Sequence, residues 1–247
     1  MCSALAVPLS FPKLHSLSST LPTSSLLVTE VALQYRGLNS CSISPPNRSV
    51  LEMITALDTI SQAMTRSPSS KHDRILIANS IYSVEHQLLS SNIAKPDNTF
   101  TAIDISDSLR IAAVLFLHLA IRRNPLRSQR HRRLVERLYN SLPLHDVDLS
   151  DSAVPEITLR LLLWGLVVGA AVVADHSIKP TFIGQIVFTC RILRIDTYES
   201  FITSIQKVLW LDPFCSVHCV ALWEEIHLYL KWLNAQEYQQ LWLQDHQ

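Results

Sequence analysis

Residues Ile105–Leu119 read ISDSLRIAAVLFLHL, and the spacing of their apolar side chains decides the fold. Ile105, Leu109, Ala112, Phe116 and Leu119 follow one another at steps of four, three, four and three. An α-helix turns once in 3.6 residues, so this rhythm lays all five side chains along one face. A half-buried strand would alternate at every second position, and this stretch does not.

The same rhythm returns on both sides. Downstream, the helix stops before Pro125, and Leu134, Leu138 and Leu142 mark the next one, which ends at Pro143. Upstream, Ile77, Ile81, Val84 and Leu88 share a face behind Ser70, a cap residue with Asp73 three positions on. Val50, Ile54, Leu57 and Met64 form an earlier helix that Ser67-Pro68 ends, and Lys95-Pro96-Asp97-Asn98 reads as a loop. Toward the C-terminus, Pro155 suits the first turn of a helix that follows the acidic connector Asp146–Asp151. Residues 181–195 and 198–211 read as two further helices with Thr197 as the cap between them. Asp212-Pro213 then predicts an N-cap followed by proline at the first helical position. The helix it opens carries Cys219, Leu222, Ile226, Tyr229 and Leu233 on one face. The expected fold is all-α: a single irregular helical domain of about seven or eight packed helices, spanning 48–247. Residues 1–47 are rich in Ser, Thr and Pro and are expected to be a flexible lead-in, although Leu26–Leu33 has the composition to dock as a short helix.

Composition agrees with helices around a sizeable core. Of 247 residues, 48% are hydrophobic and 17% charged, which rules out global disorder. Only four glycines occur, too few for turn-rich β folds or Gly-rich phosphate loops. Lys+Arg and Asp+Glu both number 21, whereas a free-standing nucleic-acid binder carries a basic excess. The five cysteines, Cys2, Cys41, Cys190, Cys215 and Cys219, have no disulfide-scaffold spacing and suit a reducing compartment. The N-terminal stretch has no basic residue ahead of Ala4–Leu9 and is broken by Pro8 and Pro12, unlike a secretory signal.

Several clusters invite a chemical reading. Leu161–Ala174 (LLLWGLVVGAAVVA) contains Gly165-x-x-x-Gly169, a spacing that lets helices approach closely. Its apolar run is too short for the ~18–20 residues that span a bilayer, so a central core helix is expected. Arg122, Arg123, Arg127, Arg130, Arg132, Arg133 and Arg137 crowd one segment. Such a run serves as a solvated helix face, a nuclear-import signal or a phosphate-contacting patch. Cys215, His218 and Cys219 lie on one helical face with His227 two turns on. Soft ligands at that spacing bind zinc only if a tetrahedron closes, which one helix rarely achieves, so packing is expected. Glu224-x-x-His227 is half of a di-iron pattern without its second half. Asp146, Asp148 and Asp151 begin like a calcium loop, but Asp151 stands where the glycine belongs. No nucleophile elbow, zinc-protease, phosphate-loop or dinucleotide motif is present, and no catalytic residue, cofactor or metal is expected.

Three stretches carry a resemblance: Ser108–Arg123 (SLRIAAVLFLHLAIRR) with its basic tail, the apolar helix Ile157–Ala174, and Val208–Ile226 (VLWLDPFCSVHCVALWEEI). In the last, Trp210-Leu211-Asp212 leads to Leu222-Trp223-Glu224-Glu225. Together they resemble the fungal-specific transcription factor domain, the helical region that follows a zinc binuclear cluster. The six cysteines of that cluster are missing here. The resemblance therefore implies only the regulatory half: a nuclear module (cytoplasmic as the alternative) that pairs with a DNA-binding regulator or with itself. It also implies no sequence-specific DNA reading by this chain alone; that no membrane partner is expected follows from the short Leu161–Ala174 run. The competing expectations are a soluble helical enzyme or small-molecule carrier with an interhelical pocket, and a protein anchored in a membrane by Leu161–Ala174.

Overall fold

The computed structural model describes residues 26–35, 43–66, 70–90, 104–125, 128–142, 154–173 and 177–245, from 234 onward as helix backbone alone. Among them run nine α-helices: α1 (Leu26–Gln34), α2 (Arg48–Thr65), α3 (Lys71–Ser90), α4 (Ser106–Phe116), α5 (Gln129–Ser141), α6 (Glu156–Val172), α7 (Lys179–Ile192), α8 (Tyr198–Gln206) and α9 (Phe214–Asp245). A π-helical turn, Leu117–Ile121, continues α4. The described residues contain no strand, and the chain is all-α.

The helices begin where the sequence supplies caps. Asn47 Oδ1 accepts the Ser49 N–H at 2.9 Å to start α2. Ser70 and Asp73 bond reciprocally, at 3.1 and 3.0 Å, ahead of α3, and Thr197 and Ser200 form a capping box on α8. Each cap satisfies an amide that the first turn leaves without a partner. Pro155 stands at the N-cap of α6, one residue ahead of its first turn, and brings no side-chain cap. Gln34 of α1 substitutes for it, its Oε1 accepting the Ile157 N–H at 3.1 Å.

The core is organised around α6, 14 of whose 17 residues are buried. It touches α1, α4, α5, α7, α8 and α9. Both glycines of the Gly165-x-x-x-Gly169 spacing serve close approach. A Cβ on Gly165 would lie 3.5 Å from Ala112 Cβ on α4. One on Gly169 would fall 2.6 Å from a Phe182 ring carbon and 2.8 Å from Leu138 Cδ2, against α7 and α5. Trp164 stacks at a tilt on Phe116 at 5.9 Å, and Phe116 meets the edge of Phe214 at 6.2 Å. No helix among the described residues is long and apolar enough to cross a membrane.

Three expectations need correction. The packed body starts ahead of residue 48, because α1 docks on α2 and α6, as the composition of Leu26–Leu33 allows. Val31 is buried, Ile43 is fully so, and Tyr35 Oη lies 2.9 Å from Thr158 Oγ1. Helix α1 is also the reason the count exceeds eight. On α5 the buried face is His131, Val135 and Leu138, while Leu134 is only half-buried. Finally, α9 begins at Phe214, and Asp212 accepts the hydroxyl of Ser216 where it was expected to cap a backbone amide. The loop at Lys95–Asn98 and the connector Asp146–Asp151 lie outside the described residues.

Candidate functional site

Polar groups collect where α3, the end of α4 and the start of α5 meet. The π-helical turn closes with the Arg122 N–H bonded to the Leu117 carbonyl at 2.9 Å, an i to i+5 bond. Single π turns of this kind recur at functional sites because they re-aim the side chains they carry. Here the turn brings His118 inward, 1% exposed, with Nε2 at 3.1 Å from Glu85 Oε1 of α3. Glu85 also receives the Arg122 guanidinium, which lies 4.8 Å from the centre of the Tyr82 ring. His131, equally buried, sits 5.7 Å from the His118 ring, and its Nδ1 donates to the Pro125 carbonyl at 3.1 Å.

Burial pushes the His118 pKa down, and the Arg130 charge and His131 push the same way. The bond and charge of Glu85 oppose them without reversing the shift. A neutral His118 therefore donates from Nε2 to Glu85, which leaves Nδ1 as a buried acceptor with no partner. Arg122 Nε is likewise buried and unbonded. With both histidines shut in, the arrangement acts as a clamp joining three helices, and Arg123 beyond it takes a left-handed backbone at φ 52.

The predicted arginine patch is divided by this clamp. Arg122 is half-buried and ion-paired to Glu85, so it leaves the patch. Arg123 is exposed on the connecting loop, and Arg127 lies outside the described residues. Arg130, Arg132, Arg133 and Arg137 stand exposed on α5, and among the described residues none of the four has an ion pair. Arg130, Arg133 and Arg137 together with Gln129 and Leu134 line a groove of about 370 Å³.

The residues that carry the family resemblance do not form one site either. Leu222 is core, and Trp223 lies half-buried on Phe201 and Tyr198, with ring centres 5.2 and 6.2 Å away. Trp210 packs against the core, Asp212 and Glu224 are exposed, and Glu225 takes the Lys179 ammonium at 2.5 Å. On the same helix Cys215 and Cys219 are buried, and burial pushes their thiols up to about 11 and about 12. No group of three metal-ligating side chains occurs among the described residues. His218 packs on Phe214 with ring centres 4.6 Å apart.

The opposite face of α9 is apolar and open. Val217, Val220, Leu228 and Trp232 are 64, 49, 67 and 51% exposed. At 100° per residue they lie on the side away from Cys215, Cys219, Leu222 and Ile226, with Glu224 and Lys231 among them.

A fourth feature, a cavity of about 540 Å³, opens between α1, α2 and α6. Asp58, Gln62 and Arg160 line it, along with Lys207. Burial raises the Asp58 pKa, against the opposing bond from Gln62 at 2.7 Å. Thr55 Oγ1, on the same wall, is buried with no hydrogen-bond partner.

The clamp and the open face of α9 were not anticipated from the sequence. His118 is a lone polar residue in an apolar run, the one local sign of the first. The chain matches no protein-family model, no curated protein and no solved structure.

Proposed function

We propose that this chain is a transcription-regulatory helical module, of the kind implied by its resemblance to the fungal-specific transcription factor domain, and that it acts by protein association. The observation that supports this best is the open apolar face of α9. A helix that buries one side in the core and exposes two valines, a leucine and a tryptophan on the other has two hydrophobic seams, and a lone molecule fills only one.

The occupant that fits the second seam is another copy of α9. Glu224 and Lys231 are seven residues apart on the exposed side. An antiparallel pair centred between them sets each Glu224 opposite Lys231 of the other copy, with the two Leu228 side chains near the two-fold axis. That arrangement is self-complementary, as a two-fold interface requires. On this reading the module works in the nucleus beside a partner that reads DNA, and it contributes no base contacts itself.

Sedimentation across a concentration series tests the pairing. The wild type is expected to pair, Leu228→Glu to sediment as a monomer with unchanged circular dichroism, and Glu224→Lys to pair less well. Adding Lys231→Glu to Glu224→Lys should restore pairing, since the swap rebuilds the same contacts. A wild type that stays monomeric throughout, or a swap that fails to rescue, refutes the interface. Tethering the chain to a heterologous DNA-binding domain tests the regulatory role, with reporter output expected to change and to lose that change with Leu228→Glu.

A small-molecule carrier is the second reading, and the 540 Å³ cavity is the observation that favours it. Its volume falls within the range of ligand pockets. Native mass spectrometry of the purified protein would support the carrier by showing a small molecule bound in stoichiometric amount.

A further inference from the structure

Helix α5 is electrostatically at odds with itself. It carries Arg130, Arg132, Arg133 and Arg137 against a single acid, Glu136, on a chain whose formal charge is zero. Arg130, Arg133 and Arg137 follow one another at three and four residues, the spacing at which like charges on a helix repel. The first turn holds no acid, although the positive end of the helix dipole favours one there. The only side-chain cap is the Ser128 hydroxyl, which accepts the His131 N–H at 3.2 Å. Ion pairs are made elsewhere on this surface, as Arg110 with Asp107 and Arg160 with Glu156 show. The α5 arginines make none among the described residues, and all four stand exposed.

The scaffold beneath them is fixed. His131, Val135 and Leu138 anchor the inner face of α5, and the His131 ring is held by the Pro125 carbonyl. The arginines are therefore presented from a docked helix and, with Gln129 and Leu134, line one side of a groove of about 370 Å³.

We propose that the α5 groove bounded by Arg130, Arg133 and Arg137 binds a compact polyphosphate anion, either an inorganic polyphosphate or the phosphate chain of a nucleotide. The guanidinium fork matches phosphate oxygens two at a time. Seven residues of helix rise roughly 10 Å, so the three forks converge on neighbouring phosphates of one small molecule. A DNA strand spreads its phosphates along its length, and the groove offers no base-reading scaffold. Gln129 adds a hydrogen-bonding amide at the N-terminal end, and Leu134 is the one apolar contact, placed to meet a nucleobase where the ligand has one. This proposal is independent of α9 pairing, because the residues involved do not overlap.

Calorimetric titration of the full chain at about 0.15 M salt tests it, with tripolyphosphate and ATP as probes. Both should bind the wild type at one site per chain. The triple variant R130Q/R133Q/R137Q should lose tenfold or more in affinity, while Arg66→Gln, an exposed arginine at the end of α2, should change it little. Equal affinity for the two probes assigns recognition to the phosphate chain alone. Tighter ATP binding that Leu134→Ala removes assigns it to a nucleotide. Absence of tripolyphosphate binding, an equal loss in Arg66→Gln, or stronger binding of duplex DNA at matched phosphate concentration overturns the proposal. Circular dichroism of the triple variant separates a lost site from a lost fold, and a variant that unfolds is replaced by Arg133→Gln alone, for which a smaller loss in the same direction is required.

Discussion

His118 keeps one ring nitrogen bonded to Glu85 and the other bare, in a setting where burial disfavours its charged form. Its folded pKa lies below the ordinary 6.5, so the unfolded chain binds the proton more readily. Stability from this residue is complete above pH 6.5 and is lost as pH falls through the folded value. The thermal midpoint should therefore drop as pH falls below 6.5, and it should drop less in His118→Gln. His218, also pushed down by burial, keeps some slope in the variant. Parallel profiles would show that His118 does not titrate this way. Trp164 presents the same imbalance in an uncharged group, since its indole N–H is buried with no acceptor. Trp164→Phe removes that bare donor and most of the ring stays. Its cost in chemical denaturation should fall well below the ~3–5 kcal/mol expected of Trp164→Ala.

At the scale of elements, the two glycines of α6 make opposite predictions. The space at Gly165 accepts a methyl in ordinary contact with Ala112, and alanine is the better helix former, so Gly165→Ala should be neutral or stabilising by up to about 1 kcal/mol. Gly169→Ala drives its methyl into Phe182 and Leu138 and should cost about 1–3 kcal/mol. Urea titration of both variants checks the pair, and equal shifts would contradict the packing described for α6. Elements of this kind were largely legible in the sequence. The Ser70–Asp73 cap, the Thr197 cap and the burial of the run that starts at Leu161, complete through Ala170, all rest on local rules. What escaped depended on distant partners. Glu85 and His118 are 33 residues apart, and no local pattern pairs them. The arginine run is continuous in sequence, yet Arg122 turns to Glu85 while Arg133 and Arg137 face outward, a division made by the π turn and the docking of α5. The open face of α9 was hidden because an apolar seam on each side leaves little periodicity in 32 residues.

For the whole molecule, α1 decides where the packed body begins. It is short and set among Ser, Thr and Pro, so composition points to a flexible lead-in while leaving Leu26–Leu33 able to dock as a helix. Its stability comes from Val31 in the core and from bonds to α6, 123 residues away. Gln34→Ala should lower global stability by about 1 kcal/mol and speed hydrogen exchange at Ile157, the amide that Gln34 covers. Unchanged exchange there would mean that α1 does not cap α6 in solution. The central place of α6 has a consequence for biosynthesis. A ribosome releases α1 to α5 before any of α6, and α1, α4 and α5 each lay part of their apolar surface on it. Until α6 has left the exit tunnel, the early helices can pair only among themselves, as α4 does with α2, α3 and α5, and the apolar surface that α6 will cover stays open to other contacts.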